Sequence, residues 1–169
     1  MKPTIPALAI IATVSGLAQA GISIDLSGTE FFDGLGDSSN TVLSVFIGAN
    51  FHIHHIEWNL NLTTLTPPDA SFPSWASEAN IDFNDQVNLQ VSDTAGAVVN
   101  ELNAGSANVS IFLGPDGLLN MEFWESFDDS PDNADAVLGE GSWIYISTPA
   151  PGPLAAFGLG GLIATKRRR

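Results

Sequence analysis

His52-Ile53-His54-His55-Ile56-Glu57-Trp58-Asn59-Leu60-Asn61-Leu62-Thr63-Thr64-Leu65 is the stretch that decides the fold class. Ile56, Trp58, Leu60 and Leu62 recur at every second position, with Glu57, Asn59 and Asn61 between them. A period of two is that of a β-strand with one buried and one wet face, whereas a helix would repeat every three to four residues.

Working outward, the same strand signals recur on both sides. Residues 21–27 (GISIDLS) alternate, and 41–49 (TVLSVFIGA) are apolar and β-branched. Further short strands are expected at 79–83, 87–92, 97–102, 107–113, 118–127 and 141–147. Turn clusters separate them, among them Asp33-Gly34, Pro67-Pro68-Asp69, Pro115-Asp116-Gly117 and Ser130-Pro131-Asp132-Asn133. No stretch carries a convincing helical period. Eight or nine short strands predict an all-β body, a single antiparallel β-sandwich of jelly-roll type, over residues 21–148.

Charge is partitioned along the chain. All 19 Asp and Glu lie within residues 21–148, which contain no Lys or Arg, so this body carries −19 with neutral His. The five basic residues are Lys2, Lys166, Arg167, Arg168 and Arg169. With no basic patch to neutralise phosphates, nucleic acid is excluded as a partner. The chain has no Cys, so neither disulfides nor thiol chemistry are available. Only His52, His54 and His55 can pair with the body's carboxylates. Such a body repels itself, and salt or bound divalent cations must screen it.

The two ends read as addresses. Met1-Lys2 is a positive start, Pro6–Leu17 an apolar run, and Ala18-Gln19-Ala20 a small-x-small cleavage site. Residues 1–20 are therefore expected to be a signal peptide that engages the Sec translocon, with Gly21 the first mature residue. At the other end, Pro149-Ala150-Pro151-Gly152-Pro153 breaks any helix, residues 154–165 (LAAFGLGGLIAT) are apolar or small, and the four cations follow. As a helix that run is about 18 Å long, short of the roughly 30 Å hydrocarbon core. Snorkelling Lys and Arg would extend it, with the basic end cytoplasmic.

This arrangement over about the last 21 residues resembles the PEP-CTERM sorting signal of Gram-negative bacteria. That signal combines a Pro-x-Pro motif, a short Gly-rich apolar helix and a terminal Arg cluster. Ala150 stands where the family's motif usually carries Glu. The resemblance implies Sec export, transient inner-membrane anchoring, processing near the motif by an exosortase-type enzyme, and delivery to the cell surface or extracellular matrix. An ordinary C-terminal membrane anchor is the alternative. The tail is also similar to the ends of some proteins named for ice binding. Within the body, Ile56-Glu57-Trp58, Ser74-Trp75-Ala76-Ser77-Glu78-Ala79 and Glu122-Phe123-Trp124-Glu125-Ser126-Phe127-Asp128-Asp129 resemble a body type found ahead of such tails. It implies a β-sandwich and no assigned activity.

Three groupings are candidate sites. Asp128, Asp129, Asp132, Asn133 and Asp135 fall within eight residues. Such hard oxygen donors suit Ca²⁺, although their spacing is not that of an EF-hand, and a solvated acidic turn is the alternative. His52 and His54 would share a strand face with His55 opposite; two imidazoles plus a carboxylate can hold a transition metal, and half-exposed strand residues are the plainer reading. Trp58, Trp75, Trp124 and Trp143 are many aromatics for so small a body; a sugar-stacking platform is open to them, and filling the core is the plainer reading. Catalysis finds no support. Glu122 and Glu125 are expected on opposite faces of one strand, and no G-x-S-x-G is present. The expected function is a non-enzymatic surface or matrix component. The alternatives are a calcium-dependent module binding extracellular polysaccharide and, more weakly because the Thr residues are scattered, an ice-binding protein.

Overall fold

The computed structural model describes residues 21–66, 72–127 and 133–147. Ten strands form two antiparallel sheets: β1 (Gly21–Asp25), β2 (Glu30–Phe31), β3 (Thr41–Phe46), β4 (His52–Thr64), β5 (Ala79–Phe83), β6 (Val87–Gln90), β7 (Glu101–Phe112), β8 (Leu118–Glu125), β9 (Ala136–Leu138) and β10 (Trp143–Ser147). A single 3₁₀ turn, Ala76–Glu78, precedes β5. Among the described residues no helix is long and apolar enough to cross a membrane, and the 154–165 run lies outside them.

The first sheet is built on β4. Its order is β1-β10-β4-β9-β2, with β7 also paired to β4. Ile56–Asn59 and Leu62–Thr64 pair with β10 and β9 on one flank, while β7 lines the other. The second sheet runs β3-β8-β5-β6.

The alternation in β4 works as its sequence predicts. Ile56, Leu60 and Leu62 are buried and Trp58 is half-buried. Ile53 is also buried, although it is three residues from Ile56. The ladder slips between Ile53 and His55, so the burial phase changes there. The expected strand 107–113 starts earlier, as β7 from Glu101, and of the expected strand 97–102 only Glu101 and Leu102 are in a strand, residues 97–100 being irregular. Asn103-Ala104-Gly105-Ser106 reads as a turn, but it continues the ladder opposite β4. Gly105 is required there, because a Cβ would sit 2.6 Å from the Trp58 ring. The β2–β9 pair was not foreseen, since strands of two and three residues are too short to show a period.

Both sheets contribute to one buried cluster. Ile24, Ile56, Leu60, Leu62, Ile144 and Ile146 come from the first sheet, and Ile81, Phe83, Leu119, Met121 and Phe123 from the second. Phe31 of β2 meets Phe123 of β8 edge to face, with ring centroids 5.6 Å apart.

Strand direction divides the molecule into two poles. Gly21 pairs with Ser147, and the adjoining Ile146 pairs with Ile56, so both ends of the body lie at the β4 start. The Gly48–Asn50 and Gly114–Gly117 turns sit at this near pole, joined by the Asn50 N–H bond to the Gly114 carbonyl (2.9 Å). Thr64, β2, β9, the 3₁₀ turn and the Glu125 end of β8 lie at the far pole. Ser74 N–H to Leu65 O (3.0 Å) and Glu125 N–H to Asp33 O (3.0 Å) join its parts.

Phe123 is fully buried between the sheets. Replacing it with Ala should cost about 3–5 kcal/mol by urea unfolding. A loss below about 1 kcal/mol would contradict a core shared by both sheets.

Candidate functional site

The far pole holds the residues with the most unusual environments. Asp135, Glu125 and Asp33 are 0%, 0% and 8% exposed. Charged groups are almost never buried so deeply unless partnered. Ser74 donates its hydroxyl to Glu125 Oε2 at 2.8 Å, and Ser39 donates to Asp33 Oδ2. Asp135 is placed by its backbone: its N–H donates to Phe31 O (2.9 Å) and its carbonyl accepts from Leu65 N–H (2.7 Å). Asn133 is half-buried beside it. Asp128, Asp129 and Asp132, the other expected Ca²⁺ ligands, lie outside the described residues. Among the described residues no group of three or more His, Cys, Asp or Glu side chains could hold a metal ion.

Beside these carboxylates opens a cleft of about 500 Å³ lined by Phe72, Pro73, Trp75, Glu78 and Phe127. Glu78 folds back on its own turn: Oε2 accepts from the Trp75 backbone N–H (3.1 Å) and the Ser74 hydroxyl (3.2 Å). The Glu78 N–H in turn donates to Trp75 O at 3.0 Å. Trp75 therefore stands on backbone held from both directions. Of the cleft residues, Trp75 is the site candidate legible in the sequence, as one of four tryptophans, while Glu78 and Phe127 fall in the segments that carry the body resemblance. Phe72 carries a signal, as a large apolar residue in a turn segment outside any strand period, whereas Phe127 continues the alternation of Leu119, Met121 and Phe123 and is exposed because β8 ends at Glu125.

None of the four Trp belongs to the fully buried core. Trp58 covers Gly105 on the inner face. Trp124 shares the outer face of β8 with Glu122 and donates its indole N–H to Asn88 Oδ1 at 3.3 Å. Trp143 and Tyr145 border a hollow of about 320 Å³ with Ser23 and Glu57 on the outside of the first sheet. The tryptophans thus do not form one platform.

The outer face of the second sheet is polar. Asp82 pairs across the ladder with Glu122, and a cleft of about 260 Å³ contains both, with Val42, Asn84, Asp85 and Asn120. Glu122 Oε1 accepts from the Asn40 amide (2.7 Å) and the Gly36 N–H (2.6 Å). Asn84 and Asp85 form the β5–β6 turn at φ 54° and 55°, the left-handed region that Asn and Asp tolerate. Burial holds the Asp82 carboxyl above the usual carboxylate range; the Asp85 N–H bond opposes this, and the charges of Asp85 and Glu122 add to it. Glu122 is half-exposed on this face and Glu125 is buried on the other, as strand alternation requires.

At the near pole, His52 and His54 share a face with ring centroids 3.8 Å apart, and His52 stacks on Phe112 at 3.7 Å. Partial desolvation and the neighbouring His54 lower the His52 pKa, which disfavours its charged form. His55 lies 3.6 Å from Glu57. No carboxylate joins the His52–His54 pair within a metal-holding group among the described residues.

No protein-family model, no curated protein and no solved structure matches the chain.

Asp82 sets a pH dependence. Its folded pKa is raised, so the folded state binds its proton more tightly than the unfolded state. Its unfavourable contribution is therefore absent below the unfolded value of about 3.9 and complete above the folded value. Asp82→Asn should raise the unfolding midpoint near neutral pH, and this gain should shrink as pH falls towards about 4. Thermal unfolding across that range checks it; a variant less stable than the native chain near neutrality would contradict it.

Proposed function

We propose that the chain is an exported, non-enzymatic component of the cell surface or extracellular matrix. Residues 1–20 direct it to the Sec translocon. Residues 149–169 anchor it transiently in the inner membrane, and an exosortase-type enzyme processes it at Pro149-Ala150-Pro151. The body is a jelly-roll β-sandwich: without the short β2 and β9, the strand orders β1-β10-β4-β7 and β3-β8-β5-β6 are those of two Greek keys folded together. Calcium is the cation that the oxygen donors of Asp128, Asp129, Asp132, Asn133 and Asp135 would take.

The observation that carries this reading is the pairing of Gly21 with Ser147. Within the described residues the first strand runs from Gly21 and the last runs to Ser147. Gly21 and Ser147, the described residues nearest in sequence to the two addresses, thus lie side by side at one pole. The absence of Lys and Arg from residues 21–148 also suits a matrix environment in which salt or cations screen the body.

Mass spectrometry of secreted material from the native host should find Gly21 at the N-terminus and no Lys166–Arg169. An intact C-terminus in cell-free supernatant would contradict the processing step. A full tail found only in the inner membrane would favour a permanent anchor.

A further inference from the structure

We propose that the cleft formed by Phe72, Pro73, Trp75, Glu78 and Phe127 is a binding site for a neutral polysaccharide, carried at the pole opposite the body's attachment. The outward direction rests on the surface reading above; the site itself rests on the cleft.

Exposure is the first argument. Phe72, Trp75 and Phe127 are 77%, 52% and 62% exposed, and they line one hollow. At about 500 Å³ it lies within the range of small-ligand sites, roughly 300–1,000 Å³. Aromatic faces at the surface of a chain that buries Phe31, Phe83 and Phe123 completely are not spare core. They offer what the C–H face of a pyranose ring packs against.

The second argument is preorganisation. Ser74 and Ala76, on either side of Trp75, are both 0% exposed. Ser74 N–H donates to Leu65 O (3.0 Å), Ala76 N–H to Gly96 O (2.9 Å) and Ser77 N–H to Thr94 O (3.1 Å). The Trp75 backbone is thus fixed before any ligand arrives, which lowers the entropy lost on binding. The two bonds to Glu78 Oε2 orient the carboxylate and leave Oε1 to a sugar hydroxyl. An apolar platform with one aligned acceptor at its edge suits a polyhydroxylated, uncharged ring.

Charge narrows the class. A body of −19 without Lys or Arg repels uronate polymers, nucleic acids and anionic lipid surfaces, and no cation in the cleft can hold a carboxylate, sulfate or phosphate. Neutral glycans incur no such cost.

The test uses the full-length chain with cellohexaose, chitohexaose, an alginate hexasaccharide and phosphatidylcholine vesicles, read by calorimetry and tryptophan fluorescence. At least one neutral hexasaccharide should bind saturably, with no binding of alginate. Trp75→Ala should weaken binding by about tenfold or more, about 1.4 kcal/mol. Trp75→Phe should restore most of the affinity, which a folding defect would not allow. Trp124→Ala, on the other sheet face, should change nothing. The proposal is overturned if neither neutral sugar binds, if alginate binds as well as they do, if only vesicles bind, or if Trp75→Ala binds like the native chain. Correct export and processing without sugar binding would overturn the cleft alone. Sugar binding by a chain that is never exported would overturn the surface reading alone.

Discussion

Nineteen carboxylates share the body with no lysine or arginine, so apart from histidine and solution cations they depend on water and on neutral hydrogen-bond donors. The structure uses such donors repeatedly. Ser92 and Thr94 hydroxyls reach Glu101 at 2.7 and 2.6 Å, and the Thr94 and Ser92 bonds are what hold its pKa down. The Ser27 backbone N–H does the same for Asp25, with the Ser27 side chain assisting. Asn40 and Gly36 serve Glu122, and Ser74 serves both Glu78 and Glu125. The one ion pair among the described residues, His55–Glu57 at 3.6 Å, joins two partly exposed side chains. Such pairs contribute about 0–1 kcal/mol, whereas hydrogen bonds to a charged group contribute about 1.5–3. Neutral donors are therefore an adequate substitute for ion pairs, and packing between the sheets supplies the rest.

That constraint also shapes what the protein can meet. The body's negative charge disfavours polyanions, and the proposed cleft presents its aromatic side chains at the acid-rich far pole, which an uncharged face can approach without electrostatic cost. The near pole gathers Gly21 and Ser147, the three histidines and the tight Gly117 turn. There a Cβ would sit 2.6 Å from the backbone of Gly48 and Ala49, and φ is +70°. Attachment and recognition are thus separated by the length of β4, the longest strand, which joins both poles. The proposed processing and the proposed sugar cleft use opposite ends of one rigid ladder.

Much of the fold was legible because β8 and residues 56–62 of β4 alternate between apolar and polar side chains. β5 was expected over 79–83 and is Ala79–Phe83. Alternation failed as a guide where the ladder itself is irregular. Ile53 is buried through a register slip that no local pattern announces. β7 continues through Asn103–Ser106 because its partner holds it, a tertiary effect invisible in those four residues. The site was less legible than the fold. Asp135 reads as a calcium ligand or as part of a solvated acidic turn, and its full burial shows that it is not solvated. Trp75, Phe72 and Phe127 come together only through the Leu65–Ser74 and Glu78–Ser126 backbone bonds, which span turns rather than strands.

The central claim is that packing and neutral donors hold the body against its own charge. It is tested most directly by the thermal midpoint of the full-length chain in NaCl. Raising salt from about 0.01 M to 1 M shortens the Debye length from about 30 Å to about 3 Å. The account predicts a midpoint that rises throughout that range as repulsion is screened. A midpoint that falls with salt would show that attractive ion pairs stabilise the fold and would contradict the account.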